Sequence, residues 1–110
     1  MPMRRRESEF SSRLTAEAAA HLGSLVRRAR LARGWPLAAL AERARLSLAT
    51  VKRIEGGSVS VALGGWLAAL EVVGLLPRLL ELRDPVSDAL LAQTEARRAR
   101  RKAPPADLDF

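Results

Sequence analysis

The sequence predicts an all-helical protein, and three observations carry that expectation. Leu and Ala dominate an apolar share of 48%, while Ile, Tyr and Phe are nearly absent. That composition favours helix over sheet. Apolar residues recur at helical spacing in successive short blocks. Glycines at 34, 56, 57 and 74 close the blocks, as glycines that end helices in a left-handed conformation do.

The elements follow in chain order. Residues 1–14 are expected to form a flexible basic arm. The arginines at 4–6 read first as a solvated terminus, and alternatively as an arm on nucleic-acid phosphates. A first helix is expected from about Thr15, a capping residue, with Leu22, Leu25, Val26 and Ala29 on its inner face. It ends at Gly34, after Arg30 and Arg33 in a favourable last turn. Pro36 opens a second short helix, where its missing N–H is no loss; Leu37, Leu40, Ala41 and Ala44 make its inner stripe. Arg45 and Leu46 form a turn. Ser47 caps a third helix that runs to about Glu55 and stops at Gly56 and Gly57.

Ser60 is expected to cap a fourth helix over 61–73. Gly64 and Gly65 inside it would each cost about 1 kcal/mol relative to Ala, so they are close-packing positions or a local weakness. Residues 75–82 suit a short fifth helix, which completes a domain over 15–83. Asp84 and Pro85 then suit the start of a C-terminal amphipathic and basic helix over 84–103. Val86, Leu90 and Leu91 form its narrow apolar face, and a basic run follows at 97–102. Residues 104–110 read as a disordered terminus.

The net charge is +7. Nine basic and four acidic residues lie between 22 and 82, so most of the surplus sits in the predicted domain. Fixed positive charge attracts a polyanion; the plainer reading is solubility alone. There is no cysteine, hence no disulfide framework and no thiolate metal site. His21 is the only histidine and has no carboxylate pair beside it, so neither metal nor cofactor is expected. Glu81, Asp84 and Asp88 sit where carboxylates serve capping. There is no apolar run long enough to span a bilayer and no signal-peptide pattern, which fits a cytoplasmic protein without a membrane role. An enzyme is not expected: there is no Gly-rich phosphate loop, no zinc-protease motif and no nucleophile–base pair.

One constellation carries chemistry. Two short helices, over 36–44 and 47–55, are joined by a turn of about three residues, the connection a helix-turn-helix needs. Leu40, Leu46, Val51 and Ile54 pin the second of them to the core. Leu48, Ala49, Lys52 and Arg53 lie between those anchors and face outward. A recognition helix presents its N-terminal half to base edges. Arg53 can reach guanine O6 and N7 with two donors, and Lys52 suits a phosphate or a guanine. Ser47, Thr50 and Arg45 complete the expected DNA-binding set.

The run "LAERARLSLATVKRIEGG", with "LGSLVRRARLARGW" before it and "SVALGGWLAALEVVGLL" after it, resembles the Cro/cI-like (XRE-type) helix-turn-helix family. The resemblance spans 22–82. It implies a five-helix lambda-repressor-like domain that binds palindromic double-stranded DNA as a homodimer. It implies an internal ion pair between Arg30 and Glu55, and pairing of two copies through Val61, Trp66, Leu70, Val73 and Leu75. For Trp35 and Trp66, core or dimer packing is expected rather than base stacking. Two positions depart from the family pattern. The turn residue that is usually glycine is Arg45. The Ser/Thr-Gln pair that often grips a phosphate is Pro36-Leu37.

The "GLLPRLLEL" ending, the short helix, the basic run and the terminal "DLDF" resemble, more loosely, the antitoxins encoded beside HipA-type kinase toxins. That resemblance implies an autoregulating repressor with a kinase-type toxin partner. Val86, Leu90, Leu91, Leu108 and Phe110 would form its partner-binding tail. The run at 97–102 suits a solvated helix end, phosphates or an acidic partner equally. Two other classes compete. One is a protein-interaction adaptor with little or no DNA binding. The other is a general RNA-binding protein, which calls for stacking aromatics that this chain lacks.

Overall fold

The computed structural model describes residues 12–102. The arginines at 4–6, Leu108, Phe110 and the expected disordered terminus lie outside the described residues. Every regular element among those described is a helix: α1 (Arg13–Ala32), α2 (Leu37–Ala44), α3 (Leu48–Glu55), α4 (Leu63–Val72), α5 (Leu76–Leu80) and α6 (Pro85–Lys102). They fall into two compact units, one ending at Leu80 and the other beginning at Glu81.

α1 begins earlier than its spacing suggests. Ser12 has extended backbone and its Oγ accepts from the Thr15 amide at 3.0 Å. Thr15 is therefore the third helical residue and not the cap. Both hydroxyls have the right chemistry. Arg13 and Leu14 are good helix formers and carry the helix back to Ser12. Those two residues belong to α1, not to an arm. α1 ends at Ala32 with Arg33 as its cap; Gly34, at φ +68°, then turns the chain, and the Trp35 amide closes back on the Arg30 carbonyl at 3.2 Å.

α2 and α3 are joined by Arg45, Leu46 and Ser47. Ser47 Oγ accepts from the Thr50 amide at 3.0 Å and caps α3. Ala41 is buried, and α2 and α3 share one core with the other helices. α1 supplies Val26 to that core, α2 Leu40 and Ala44, α3 Val51 and Ile54, and α4 Trp66, Ala69 and Leu70. Val26, Leu40, Val51 and Ile54 are fully buried.

α1 also meets the end of α3 backbone to backbone. A Cβ on Gly23 would lie 2.4 Å from the Ile54 carbonyl oxygen and 2.9 Å from that of Glu55. Gly57, at φ +77°, sits as close to α1: a Cβ there would lie 2.6 Å from Ala20 Cα. Two glycines thus let α1 touch the chain where α3 stops.

α4 starts at Leu63, two residues after the expected start, and Ala62 occupies its cap position without a side-chain bond. Ser60 is not the cap. Its hydroxyl accepts from Arg53 and pairs with Ser58. The two glycines of α4 differ: a Cβ on Gly65 would press on Val61 Cγ1 at 3.2 Å, whereas nothing lies within 4 Å of one on Gly64. Gly65 is a close-packing position and Gly64 a local weakness.

In the second unit, Asp84 Oδ1 accepts from the Ser87 amide at 3.0 Å at the start of α6. The Ser87 hydroxyl, and then its amide, holds the Asp84 carboxyl below the usual aspartate range. Val86, Leu90 and Leu91 are 67%, 58% and 59% exposed, so this unit does not bury its own apolar residues. Val86 and Leu90 lie one turn apart, and Leu91 is a quarter-turn round from Leu90. Among the described residues no single helix is long and apolar enough to cross a membrane.

Candidate nucleic-acid interface

The outward side of α3 follows from what its inward side must do. Val51 and Ile54 are buried, which fixes the helix's rotation about its axis. Leu48, Ala49, Lys52 and Arg53 are then exposed. Residues four apart lie one above the other on a helix. Leu48 with Lys52, and Ala49 with Arg53, therefore make two adjacent rows on one face. Each row has a small or apolar residue near the N-terminus and a cation one turn on.

Ser47 and Thr50 stand at the N-terminal rim of this face. Ser47 Oγ and Thr50 Oγ1 lie 2.8 Å apart and share one proton between them. The other hydroxyl proton is left over, a donor at a helix N-terminus, where anions are favoured. Thr50 is half-buried and Ser47 exposed.

Arg45 sits in the turn with φ +56° and ψ +43°. It is the one non-glycine residue with positive φ among those described. The left-handed region costs an L-residue roughly 1 kcal/mol or more, and a glycine avoids that cost. The departure from glycine noted in the sequence thus falls on the position where glycine is easiest. Arg45→Gly is expected to stabilise the fold by about 0.5–1 kcal/mol, since part of the relieved strain is offset by a more flexible unfolded chain. A rise in melting temperature checks this; a fall would mean that the arginine makes a contact worth more than its strain.

The face is anchored from behind by an ion pair. Arg30 Nε lies 2.6 Å from Glu55 Oε2, and Arg30 Nη2 lies 2.9 Å from Glu55 Oε1. The two side chains are 9% and 8% exposed. A third bond runs from Arg30 Nη1 to the Trp35 carbonyl at 2.8 Å. The hydrogen bond to Glu55 raises the Arg30 pKa above the usual arginine value, against the opposing effect of burial. Two charges taken out of water need this many partners.

The remaining expected site residues are distributed differently. Trp66, Leu70 and Val73 are 8%, 4% and 1% exposed. They are largely enclosed by their own chain, and Trp66 and Leu70 keep only an edge on an apolar groove that Val61 also lines. Apolar periodicity identifies such residues as buried but does not say by what. Val61 and Leu75 are half-buried. Trp35 is not in the sealed core: the Arg43 guanidinium lies 4.3 Å from its ring centroid, which covers one ring face by cation–π attraction. Sequence reasoning missed Gly23 and the loop after α3. An isolated glycine inside a helical stripe was the available signal for the first. The alternation in "SVSV" was the signal for the second.

In comparison with known proteins, residues 21–82 match the family model of a helix-turn-helix domain. No curated protein and no solved structure matches the chain.

Proposed function

Because the chain belongs to the helix-turn-helix domain family, we propose that it is a sequence-specific DNA-binding transcription regulator, a repressor acting from the cytoplasm on a palindromic operator. One observation carries this reading. α3 exposes Leu48, Ala49, Lys52 and Arg53 as a single patch while Val51 and Ile54 lock it to the core. Arg53 reads guanine with paired donors, and Leu48 and Ala49 meet thymine methyls or sugars. Lys52 and Arg45 take phosphates. The strain that Arg45 bears at φ +56° fits a residue kept for its charge, since strained backbone concentrates at functional positions.

The chain acts as a homodimer, with recognition helices one DNA turn, about 34 Å, apart. With Trp66, Leu70 and Val73 largely enclosed, the apolar surface left for pairing includes Leu63 and Leu79, which are 70% and 39% exposed.

Selection from random-sequence duplexes tests the reading. An inverted repeat should be enriched, with a guanine whose preference disappears in Arg53→Ala. That variant should lose about 1–3 kcal/mol of specific binding, the size of one bidentate base contact. Arg45→Gly should instead weaken all sequences alike and lower the salt slope by about one. An adaptor without DNA binding would enrich no sequence.

A finer reading concerns the second unit. The exposed Val86, Leu90 and Leu91 support a protein partner there, since apolar residues in a cluster favour burial. With the resemblance to antitoxins of HipA-type kinases, that partner is a kinase toxin, and the repressor controls its own operon. Truncation after Arg83 should keep operator binding within a few-fold and lose a co-expressed kinase in pull-down. The opposite result would give DNA binding to the run at 97–102.

A further inference from the structure

The loop that follows α3 is joined to Arg53 twice. The Ser58 amide donates to the Arg53 carbonyl at 2.9 Å. The Arg53 side chain returns the contact: Nη2 donates to Ser60 Oγ at 2.9 Å. The loop is itself closed, with Ser60 N–H donating to Ser58 Oγ at 3.2 Å and the two hydroxyls 2.9 Å apart. Gly57, at φ +77°, turns the chain so that Ser58 follows back along α3. Val59 and Val61, which alternate with the serines, are half-buried beside Leu22 and Trp66 in an apolar groove of about 350 Å³. The valines thus fix the loop, and the serines are left on the side of Arg53.

We infer that Ser60 is a positioning residue for base recognition: it holds the Arg53 guanidinium in the orientation in which it meets a base. The inference rests on the DNA-reading function proposed for α3. An exposed arginine samples many rotamers, and ordering it on binding weakens the contact. A guanidinium has five donor hydrogens, and one bond to Ser60 leaves the others for a guanine. Ser60 Oγ accepts from Arg53 and shares one further hydrogen bond with Ser58 Oγ, so the pair of serines forms a short relay behind the guanidinium. Neither Ser60 nor Arg53 belongs to the core. The relay therefore affects the orientation of the arginine and not the stability of the fold.

The test compares wild type, Ser60→Ala, Ser60→Thr and Arg53→Ala on the enriched duplex and on one altered at the base that Arg53 reads. Ser60→Ala should lower the preference between the two duplexes about five- to tenfold, the equivalent of one hydrogen bond. Its melting temperature and salt slope should stay at wild-type values. Ser60→Thr retains the hydroxyl and should retain the preference. A preference unchanged or raised in Ser60→Ala, while Arg53→Ala loses it, overturns the positioning role and leaves the recognition helix standing. A wild-type chain that does not distinguish duplexes at all overturns both.

Discussion

Glu55→Ala should destabilise the domain by about 3–5 kcal/mol, the range for removing one partner of a buried ion pair. The reason lies in what is left behind. Arg30 is 7% exposed, and without Glu55 its guanidinium keeps only the Trp35 carbonyl as a hydrogen-bond acceptor among the described contacts. A charge enclosed with one neutral acceptor is far from satisfied. The two helices tied by the pair would also lose their polar link. Arg30 has a raised pKa through its bond to Glu55. Its charged form is therefore favoured by folding, with the contribution complete below the usual arginine pKa and lost only above it. The effect should thus be the same at pH 6 and pH 8 as far as Arg30 is concerned. The urea midpoint measures it. A midpoint within error of wild type would mean that the pair is solvated in solution. Replacing both partners by apolar residues should recover much of the loss, because no charge is then stranded.

Gly23→Ala should lower stability although helix propensity alone favours alanine by about 1 kcal/mol. The added Cβ would stand 2.4 Å from the Ile54 carbonyl oxygen, 2.9 Å from that of Glu55 and 2.9 Å from the Gly57 nitrogen. All three are backbone atoms, and no side-chain rotation relieves them. α1 must shift away from the end of α3, a strain at the upper end of overpacking, about 3 kcal/mol. Net of propensity, a loss of about 2 kcal/mol remains, or roughly 10 °C in melting temperature for a domain of this size. Gly64→Ala is the control, since a Cβ there meets nothing within 4 Å, and it should be neutral or stabilising. A Gly23→Ala chain that melts above wild type would show that α1 and α3 stand further apart than the structure has them.

The same two contacts explain how much was legible in the sequence. The α2–turn–α3 unit reads clearly because its signals are local. Ser47 is a cap, Gly56 and Gly57 are stops, and Val51 and Ile54 have helical spacing. The exposed positions of α3 follow from those anchors. What was not legible depended on tertiary contact. A serine or threonine near a helix start reads as its cap, and the sequence does not say whether a neighbouring hydroxyl caps instead or whether its own hydroxyl has another partner. That is why Thr15 yields to Ser12, and why Ser60 serves Arg53 instead of α4. Trp66, Leu70 and Val73 announce burial, but their enclosure by the same chain and not by a second copy depends on how α4 rotates against α1 to α3. Gly23 reads as a blemish in a helix until the end of α3 is seen against it.

The proposed function places the DNA-reading surface on α3 and not on α6. The direct measurement is an NMR titration of the isotope-labelled full chain with the duplex enriched from the random pool, following each backbone amide. Shifts should concentrate from Arg45 through Arg53 and in the loop reaching Ser60, while amides from Pro85 to Lys102 move little. Shifts confined to the C-terminal half of α6, with residues 45–60 unmoved, would contradict that placement.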